Sequence, residues 1–463
     1  MDKKEYCGVF GVFNHASAVE LTYLGLYSLQ HRGEESCGMA VSDGKRIRQI
    51  TGMGLVSEVL NAKKLSGIKG TNSIGHVRYS TTGSSILRNA QPFVINHNKF
   101  SISIAHNGNL TNAVKLRREM ERDGAIFQTT MDSEVVLHLM VRSEEDGLSG
   151  RLLDALNQCD GAYTMIFLSQ NKLIGVRDPY GFRPLCLGVK DGSYVLASET
   201  CSLDLIGAEY VRDVEPGEMV IISDEGITSR NLPEKENTAS CIFEFIYFAR
   251  PDSRIFGQSV YKVRERLGEK LAEEYPVEAD MVMSIPDSGN YAALGYSKKS
   301  GIPFEFGMVR NHYIGRTFIQ PSQEMRKHGV KIKLNPIREV LKGKKVVVVE
   351  DSIVRGTTTS GRIQAIREAG AREIHMRISC PPIKHACFYG IDFPSRKELI
   401  ANQMDTIEDI GKFIGVDTLK YLSIGGMMDA VSGDKEGFCK ACFNGQHPNK
   451  VNRRAAKSVF ESS

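Results

Sequence analysis

The run Lys345-Val346-Val347-Val348-Val349-Glu350-Asp351 leads into Arg355-Gly356-Thr357-Thr358-Thr359-Ser360-Gly361. Four consecutive valines read as a strand buried on both faces, as in a parallel sheet. Two carboxylates arrive where that strand must end, and a glycine- and threonine-rich turn then opens a helical pattern at Ile363, Ile366, Arg367 and Ala369. The N–H groups of such a turn and of the helix N-terminus attract an anion. Paired carboxylates beside it hold sugar hydroxyls or a divalent cation. An ordinary βα turn explains the valines and the helix start. It does not explain adjacent carboxylates at the carboxyl end of an apolar strand, where open α/β sheets bind ligands. Nor does the turn have the spacing of a P-loop or of a dinucleotide site. A second constellation is Cys439-Lys440-Ala441-Cys442. One C-x-x-C alone suggests zinc or redox chemistry. With only one such pair a symmetrical zinc ribbon is not available, and Cys241 with Cys387 could complete a four-thiol set; Cys380 competes with Cys387 for the last place.

These groups need a large scaffold. A chain of 463 residues exceeds what one core usually supports, so two or three domains are expected. A hydrophobic content of 41% and a charged content of 25% describe an ordinary soluble globular protein. A net charge of +4 gives no case for nucleic acid or membrane binding. No apolar stretch approaches the roughly 20 residues of a spanning helix, and Met1-Asp2-Lys3-Lys4-Glu5-Tyr6 lacks the apolar region of a signal peptide. A cytoplasmic protein is expected. In that reducing compartment ten cysteines do not read as a disulfide framework. Cys37, Cys159, Cys186, Cys201 and Cys380 sit in apolar runs and read as small core residues.

From Tyr6 to about Arg230 the signals are strands and hairpins, with Asp191-Gly192 between two apolar runs as the strongest turn. Helical periodicity appears at Ala18–Gln30, Asn112–Arg122 and Ser133–Val141. This pattern predicts two packed sheets covered by helices, a four-layer α+β domain. The polar, proline-containing stretch 231–240 marks a boundary. From Cys241 the grammar changes to strand, turn, helix: Ala279–Ile285 runs into Pro286-Asp287-Ser288-Gly289-Asn290, and Ile374–Ser379 supplies another apolar run. The alternation predicts a parallel α/β sheet. Between those units, Arg310 to Lys333 is basic and glycine-punctuated, which suggests a lid carrying cations for a polyanion.

The stretch 346–361 resembles the 5-phosphoribosyl-1-pyrophosphate (PRPP) motif of type I phosphoribosyltransferases. In the first half, Cys7-Gly8-Val9-Phe10-Gly11, His31-Arg32-Gly33, Gly75-His76-Val77-Arg78-Tyr79-Ser80-Thr81, His106-Asn107-Gly108-Asn109-Leu110 and Asp132-Ser133-Glu134 follow in order. Together they resemble the N-terminal-nucleophile glutamine amidotransferases, with their αββα glutaminase domain. The two halves narrow the resemblance to the amidophosphoribosyltransferase family, over nearly the whole chain. It implies a propeptide at 1–6, a type 2 glutamine amidotransferase domain at 7–230, a phosphoribosyltransferase domain with a cysteine cluster at 241–448, and a tail at 449–463.

The resemblance also implies roles. With residues 1–6 removed, Cys7 carries a free α-amine of pKa roughly 7.7–8.0, suited to act as a base. Its thiolate attacks the glutamine amide to give a thioester, with Asn107 and the Gly108 N–H as oxyanion hole. Arg78 pairs with the substrate carboxylate and Asp132 with its ammonium. Arg355, Gly356, Thr357, Thr358, Thr359 and Ser360 cradle the 5-phosphate of PRPP. Glu350 and Asp351 hold the ribose hydroxyls, Asp287 and Ser288 flank the pyrophosphate, and Mg²⁺ lies among Ser288, Glu350 and Asp351. Arg310, Arg316 and Lys333 belong to or border the lid. Cys241, Cys387, Cys439 and Cys442 match the iron–sulfur subgroup and imply a [4Fe–4S] cluster, with zinc as the runner-up. A homotetramer inhibited by purine nucleotides is the implied assembly. Two positions depart from the pattern: Glu350 replaces an aspartate, and His312 stands where a more basic residue is usual.

Two other classes compete. A different amidotransferase, such as one built like glucosamine-6-phosphate synthase, would need a sugar-isomerase second half, against which the 346–361 motif argues. A non-enzymatic nucleotide sensor would have no use for Cys7, Arg78, Asn107 and Asp132 together.

Overall fold

The computed structural model describes residues 7–79, 85–98, 100–311, 334–393, 395–431, 433 and 436–449. The propeptide stretch, most of the lid with His312, Arg316 and Lys333, and the tail beyond Asn449 lie outside the described residues.

The first half contains strands β1 (Gly8–Val12), β2 (Ser36–Ser42), β3 (Ile47–Met53), β4 (Asn72–Arg78), β5 (Phe93–His97), β6 (Phe100–Leu110), β7 (Gly161–Leu168), β8 (Leu173–Arg177), β9 (Cys186–Lys190), β10 (Ser193–Ala197), β11 (Glu209–Asp213), β12 (Glu218–Ser223) and β13 (Gly226–Asn231). They form a seven-stranded antiparallel sheet in the order β11-β9-β10-β1-β4-β2-β3 and a six-stranded one in the order β13-β12-β8-β7-β6-β5.

The strand period of two decides which residues face which layer. Val9 in β1 joins Ala40, Ile74, Leu187 and Leu196 of the first sheet against Ala105, Ile166, Leu173 and Val220 of the second, forming the core between the sheets. The next residue, Phe10, points the other way, into a core with Leu26 of helix Ala18–Ser28 and Leu203 of helix Thr200–Ile206. The second sheet packs its outer face, including Ile104, Met165 and Val176, on helices Ala113–Arg122, Glu134–Arg142 and Gly147–Asn157. The result is helix, sheet, sheet, helix. At the β9–β10 turn Asp191 and Gly192 both take positive φ (50° and 81°), as the Asp-Gly signal requires.

The second half is built on a four-stranded parallel sheet: Met281–Ser284, Lys345–Glu350, Glu373–Ile378 and Thr418–Tyr421. Val346 to Val349 are completely buried, as expected for a strand covered on both faces. Helices Val260–Glu274, Asn290–Ser300, Thr357–Glu368 and Ile407–Ile414 accompany it. The helix at Val260–Glu274, which the sequence reading passed over, buries Val260, Val263, Leu267 and Leu271 at helical spacing behind an N-cap at Ser259; the four-residue strand at Thr418–Tyr421 is too short to carry a distinctive signal. A short parallel pairing sets Ser240-Cys241 beside Phe438-Cys439. At the junction of the halves, Ala162 and Phe182 pack with Ala239, Tyr389, Cys439 and Ala441. Among the described residues no helix is long and apolar enough to cross a membrane.

Candidate active sites and the junction between them

Antiparallel pairing of β1 with β4 sets Gly8 opposite Val77, which brings Cys7 beside Arg78 and Tyr79. The Cys7 thiol donates to the Tyr79 carbonyl oxygen at 3.5 Å. Burial pushes that thiol up to about 11, partly countered by the Arg78 guanidinium, while Asp132 and Glu35 add to the rise. Arg78 is itself buried, which works against its charge; Cys7, Glu35 and Asp132 work in its favour. Cys7, Arg78 and Asp132, all buried, therefore share one electrostatic environment in the first half.

The second sheet contributes the rest. The His76 Nε2 of β4 lies 2.9 Å from the carbonyl oxygen of His106 on β6, so one bond ties the nucleophile's sheet to the strand bearing Asn107 and Gly108. Asp132 accepts from the N–H groups of Leu110 and Ser133, each at 2.8 Å, and its Oδ1 lies 3.5 Å from His106 Nδ1. Burial would raise its pKa, but His106 and those N–H groups hold it below the usual carboxylate range. It is therefore a fixed anion.

Asn107 and Gly108 lie within β6, not at a hairpin turn. Both polar atoms of the fully buried Asn107 side chain lack a hydrogen-bond partner among the described residues. Such a group normally costs about 1–3 kcal/mol, and it is the condition of a donor held ready for a charge that develops during reaction. Gly108 has φ +149°, and a Cβ there would fall 2.0 Å from the Ala162 carbonyl oxygen. No other residue fits.

In the second half, pairing of Met281–Ser284 with Val346–Val349 brings the following loop against the end of the central strand. The Ser288 hydroxyl donates to Asp351 Oδ2, and Ser352 Oγ donates to Oδ1 at 2.6 Å. Glu350 and Asp351 are both buried. Glu350 reaches further than an aspartate would: Oε1 accepts from Arg362 at 2.6 Å and Oε2 from the Thr359 hydroxyl at 3.4 Å. Gly356 caps helix Thr357–Glu368 with φ +77°, and a Cβ there would meet Ile400 Cδ1 at 2.4 Å. Thr357 is exposed and Thr358 and Ser360 half-buried around this turn, where N–H groups face a prospective anion. Arg355 pairs with Glu398 at 2.8 Å. Asp287, about half exposed, pairs with Arg310, the one lid cation named above that is described.

The four cysteines converge. Cys241 and Cys439 are register partners, and the thiols of Cys241, Cys387, Cys439 and Cys442 act on one another electrostatically. Cys380 acts only on Cys442 among them and donates to the Pro381 carbonyl oxygen at 3.3 Å. Burial raises all four thiols. Around Cys241, Cys387 and Cys439 the Arg183 guanidinium works the other way, as do main-chain N–H groups of Phe243, Tyr389, Ile391 and Ala441. The Tyr389 N–H donates to Cys387 Sγ at 3.3 Å. An all-sulfur donor set, three of its thiols buried and Cys387 half-buried, supplied with N–H groups and a cation, fits an iron–sulfur cluster. No group of three or more His, Cys, Asp or Glu among the described residues closes on a point where one ion could sit.

Three of the groups that join the two halves carry no sequence signal, while the fourth, Arg32, stands in the motif His31-Arg32-Gly33. Arg32, Arg183, Glu199 and Glu244 are fully buried charges spread over both halves. No spacing relates them, and only burial in the folded chain makes them conspicuous.

The geometry of the first half is that of a glutamine amidotransferase, and residues 76–204 match the family model for a glutamine amidotransferase domain. Over the full chain the similarity is more specific. The chain is 52% identical to amidophosphoribosyltransferase 1, chloroplastic, of Arabidopsis thaliana over 96% of its length and 79% of the relative's. It is 46% identical to the Bacillus subtilis amidophosphoribosyltransferase over 96% and 95% of the two chains. A solved structure of the glutamine PRPP amidotransferase from B. subtilis complexed with ADP and GMP superimposes with a TM-score of 0.92 at 45% identity, covering 97% of this chain and 99% of that one. The chain belongs to the amidophosphoribosyltransferase family.

Proposed function

We propose that this chain converts PRPP and glutamine into 5-phosphoribosylamine, glutamate and pyrophosphate, the reaction that begins de novo purine synthesis, with one site in each half. One observation carries the reading: a buried cysteine beside Arg78 and Asp132 and a glycine turn with an acidic pair occur in a single chain whose halves meet directly behind the oxyanion strand.

In the first half, Arg78 and Asp132 take the carboxylate and ammonium of glutamine, their opposite charges fixing its orientation. With residues 1–6 removed, the Cys7 α-amine accepts the thiol proton. The thiolate then adds to the side-chain amide, the Asn107 amide and Gly108 N–H take the oxyanion charge, and ammonia leaves. Water releases glutamate from the thioester and restores the thiol. In the second half, the N–H groups of the 355–360 turn take the 5-phosphate, and Glu350 and Asp351 accept from the ribose hydroxyls. Ammonia displaces pyrophosphate at the anomeric carbon. Ser288, Glu350 and Asp351 would hold Mg²⁺, which when bound supplies charge neutralisation for the leaving group. Arg310 stands beside Asp287 at the same edge. Ammonia is protonated or lost in water, so an enclosed path between the sites belongs to the reading.

Cys241, Cys387, Cys439 and Cys442 would hold a [4Fe–4S] cluster, which would fasten the C-terminal segment to the junction. Zinc in the same four thiolates is the runner-up. Ten free cysteines suit a reducing cytoplasm. Feedback by purine nucleotides is supported by the relative solved with ADP and GMP; a homotetramer rests on the family resemblance. Formation of phosphoribosylamine from PRPP, Mg²⁺ and glutamine, measured on protein of known N-terminus, tests the reading. No product, or active protein that retains Met1 or Asp2, would contradict it in turn for the reaction and for the nucleophile.

A further inference from the structure

Cys7 is held by its main chain as well as by its strand. Arg32 Nε donates to the Cys7 carbonyl oxygen at 3.0 Å. Its other nitrogens end on two carboxylates: Nη1 lies 2.5 Å from Glu199 Oε1 and 3.1 Å from Glu244 Oε2, and Nη2 lies 2.8 Å from Glu244 Oε1. Glu199 is anchored separately, by His31 Nε2 at 2.9 Å, the Arg250 N–H at 2.8 Å and the Ser253 hydroxyl at 2.7 Å. Glu244 stands in helix Glu244–Phe248, three residues beyond Cys241, and so belongs to the second half. Its Oε1 also accepts from Arg183 Nη1 at 3.3 Å. Arg183 Nη2 in turn donates to the Tyr389 carbonyl oxygen at 2.5 Å, in the loop that carries Cys387.

All four of these charged side chains are fully excluded from water. Two arginines face two carboxylates, so the set is neutral, and each carboxylate is hydrogen-bonded on both oxygens. Buried sets of this kind are expensive to desolvate and seldom justified by stability alone; their attested use is to fix a unique arrangement. What this one fixes is specific. Without Glu244, Arg32 would keep only an indirect tie to the second half, through Glu199 and its bonds to the Arg250 N–H and the Ser253 hydroxyl; its direct contact, and its link to Arg183, would be lost.

We infer that Glu244 is a positioning residue for the glutaminase nucleophile: through Arg32 it sets the backbone of Cys7, and through Arg183 it ties that setting to the 387–390 loop of the phosphoribosyltransferase half. The inference rests on the reading of Cys7 as nucleophile. It concerns only the glutamine half-reaction, because Glu244 touches none of the groups placed around PRPP.

The test compares glutamine-dependent with ammonia-dependent phosphoribosylamine synthesis in the same full-length preparation. For Glu244→Gln the ratio of the two is expected to fall at least tenfold, in kcat, with the KM for glutamine unchanged because Arg78 and Asp132 are intact. Stimulation of glutaminase by PRPP should shrink with it. A purely structural role would lower both activities together and leave the ratio alone, which would overturn the inference. Should Glu244→Gln fail to fold, Arg183→Lys keeps the charge and loses the forked contact. Its ratio should fall several-fold, and an unchanged ratio there would be equally contrary. Cys7→Ala separates the two layers of the argument: if it keeps glutamine-dependent synthesis, the nucleophile reading fails. If it loses that activity while Glu244→Gln keeps a normal ratio, only the present inference fails.

Discussion

Gly390, in the cysteine-bearing loop of the second half, lies against Gly108 of the first: a Cβ at Gly390 would come within 3.1 Å of the Gly108 carbonyl carbon. The Asn109 side chain fixes the same approach by donating to the Phe388 carbonyl oxygen at 2.9 Å. The strand that carries the oxyanion donors is therefore backed by the other half of the chain. Gly390 also has φ +102°, where an L side chain is strained. Gly390→Ala is expected to lower glutamine-dependent kcat by about 10- to 100-fold, short of the roughly 10²–10³ lost when an oxyanion donor is deleted. Ammonia-dependent synthesis should change less than threefold. Parallel loss of both would show that the contact serves stability alone.

At the other site the critical backbone is Gly356. Alanine there adopts a left-handed conformation costing about 1–2 kcal/mol and meets Ile400 Cδ1 at 2.4 Å. The turn must shift, and its N–H groups with it. Gly356→Ala should raise the KM for PRPP at least tenfold in both the glutamine- and the ammonia-dependent reactions, while basal glutaminase without PRPP persists. An unchanged KM in steady-state assays would remove the 355–360 turn from the phosphate site.

Stability should fall with acid through His76. Burial holds its imidazole down to about 3, against an ordinary value of 6.5. Between those values the unfolded chain binds a proton that the folded chain does not, so the stability linked to this group is complete above about 6.5 and is lost as pH falls. From pH 7 to 4.5 the loss is about 2–3 kcal/mol. Asp178 acts oppositely over a narrower range, since burial pushes it up to about 6 and the folded state then holds the extra proton. His76→Gln keeps a donor for the His106 carbonyl and removes the titration. Relative to the parent, the urea midpoint of the variant should therefore rise on going from pH 7 to 4.5; an identical pH dependence in the two proteins would assign the acid sensitivity elsewhere.

The cysteine set makes a spectroscopic prediction. Anaerobically purified protein should contain iron and absorb broadly in the visible, and Cys442→Ser should lose both and unfold at lower temperature. A colourless, zinc-replete parent protein would replace the cluster with zinc.

What the sequence made legible was local. The strand before Glu350, the turn at Gly356 and the Asp191-Gly192 hairpin each follow from residues adjacent in the chain, and the structure forms all three. The order from Cys7 to Asp132 carried the first site because residue types suited to one reaction recur at recognisable spots. Asn107-Gly108, taken alone, reads as a hairpin turn; within the run 100–110 it reads as strand, and the pairing of β6 with β7 forms it so. The charged quartet was illegible as a set. Arg32 stands in the motif His31-Arg32-Gly33, but its partner Glu244 lies 212 residues away, and an isolated Arg or Glu in sequence reads as a solvated surface group. The Arg362 partner of Glu350 lies only one helical stretch away, yet the helix had to be placed before the longer carboxylate made sense.

The central claim is that ammonia made at Cys7 is consumed at the 350–360 site. Replacing Cys7 by Ala and assaying phosphoribosylamine formation from PRPP and Mg²⁺ with either glutamine or ammonium as nitrogen donor tests it most directly. The glutamine-dependent reaction is expected to fall to background, with ammonia-dependent turnover within about threefold of the parent, since removing a sole nucleophile abolishes only the step it performs. Glutamine-dependent synthesis that survives the substitution would contradict it.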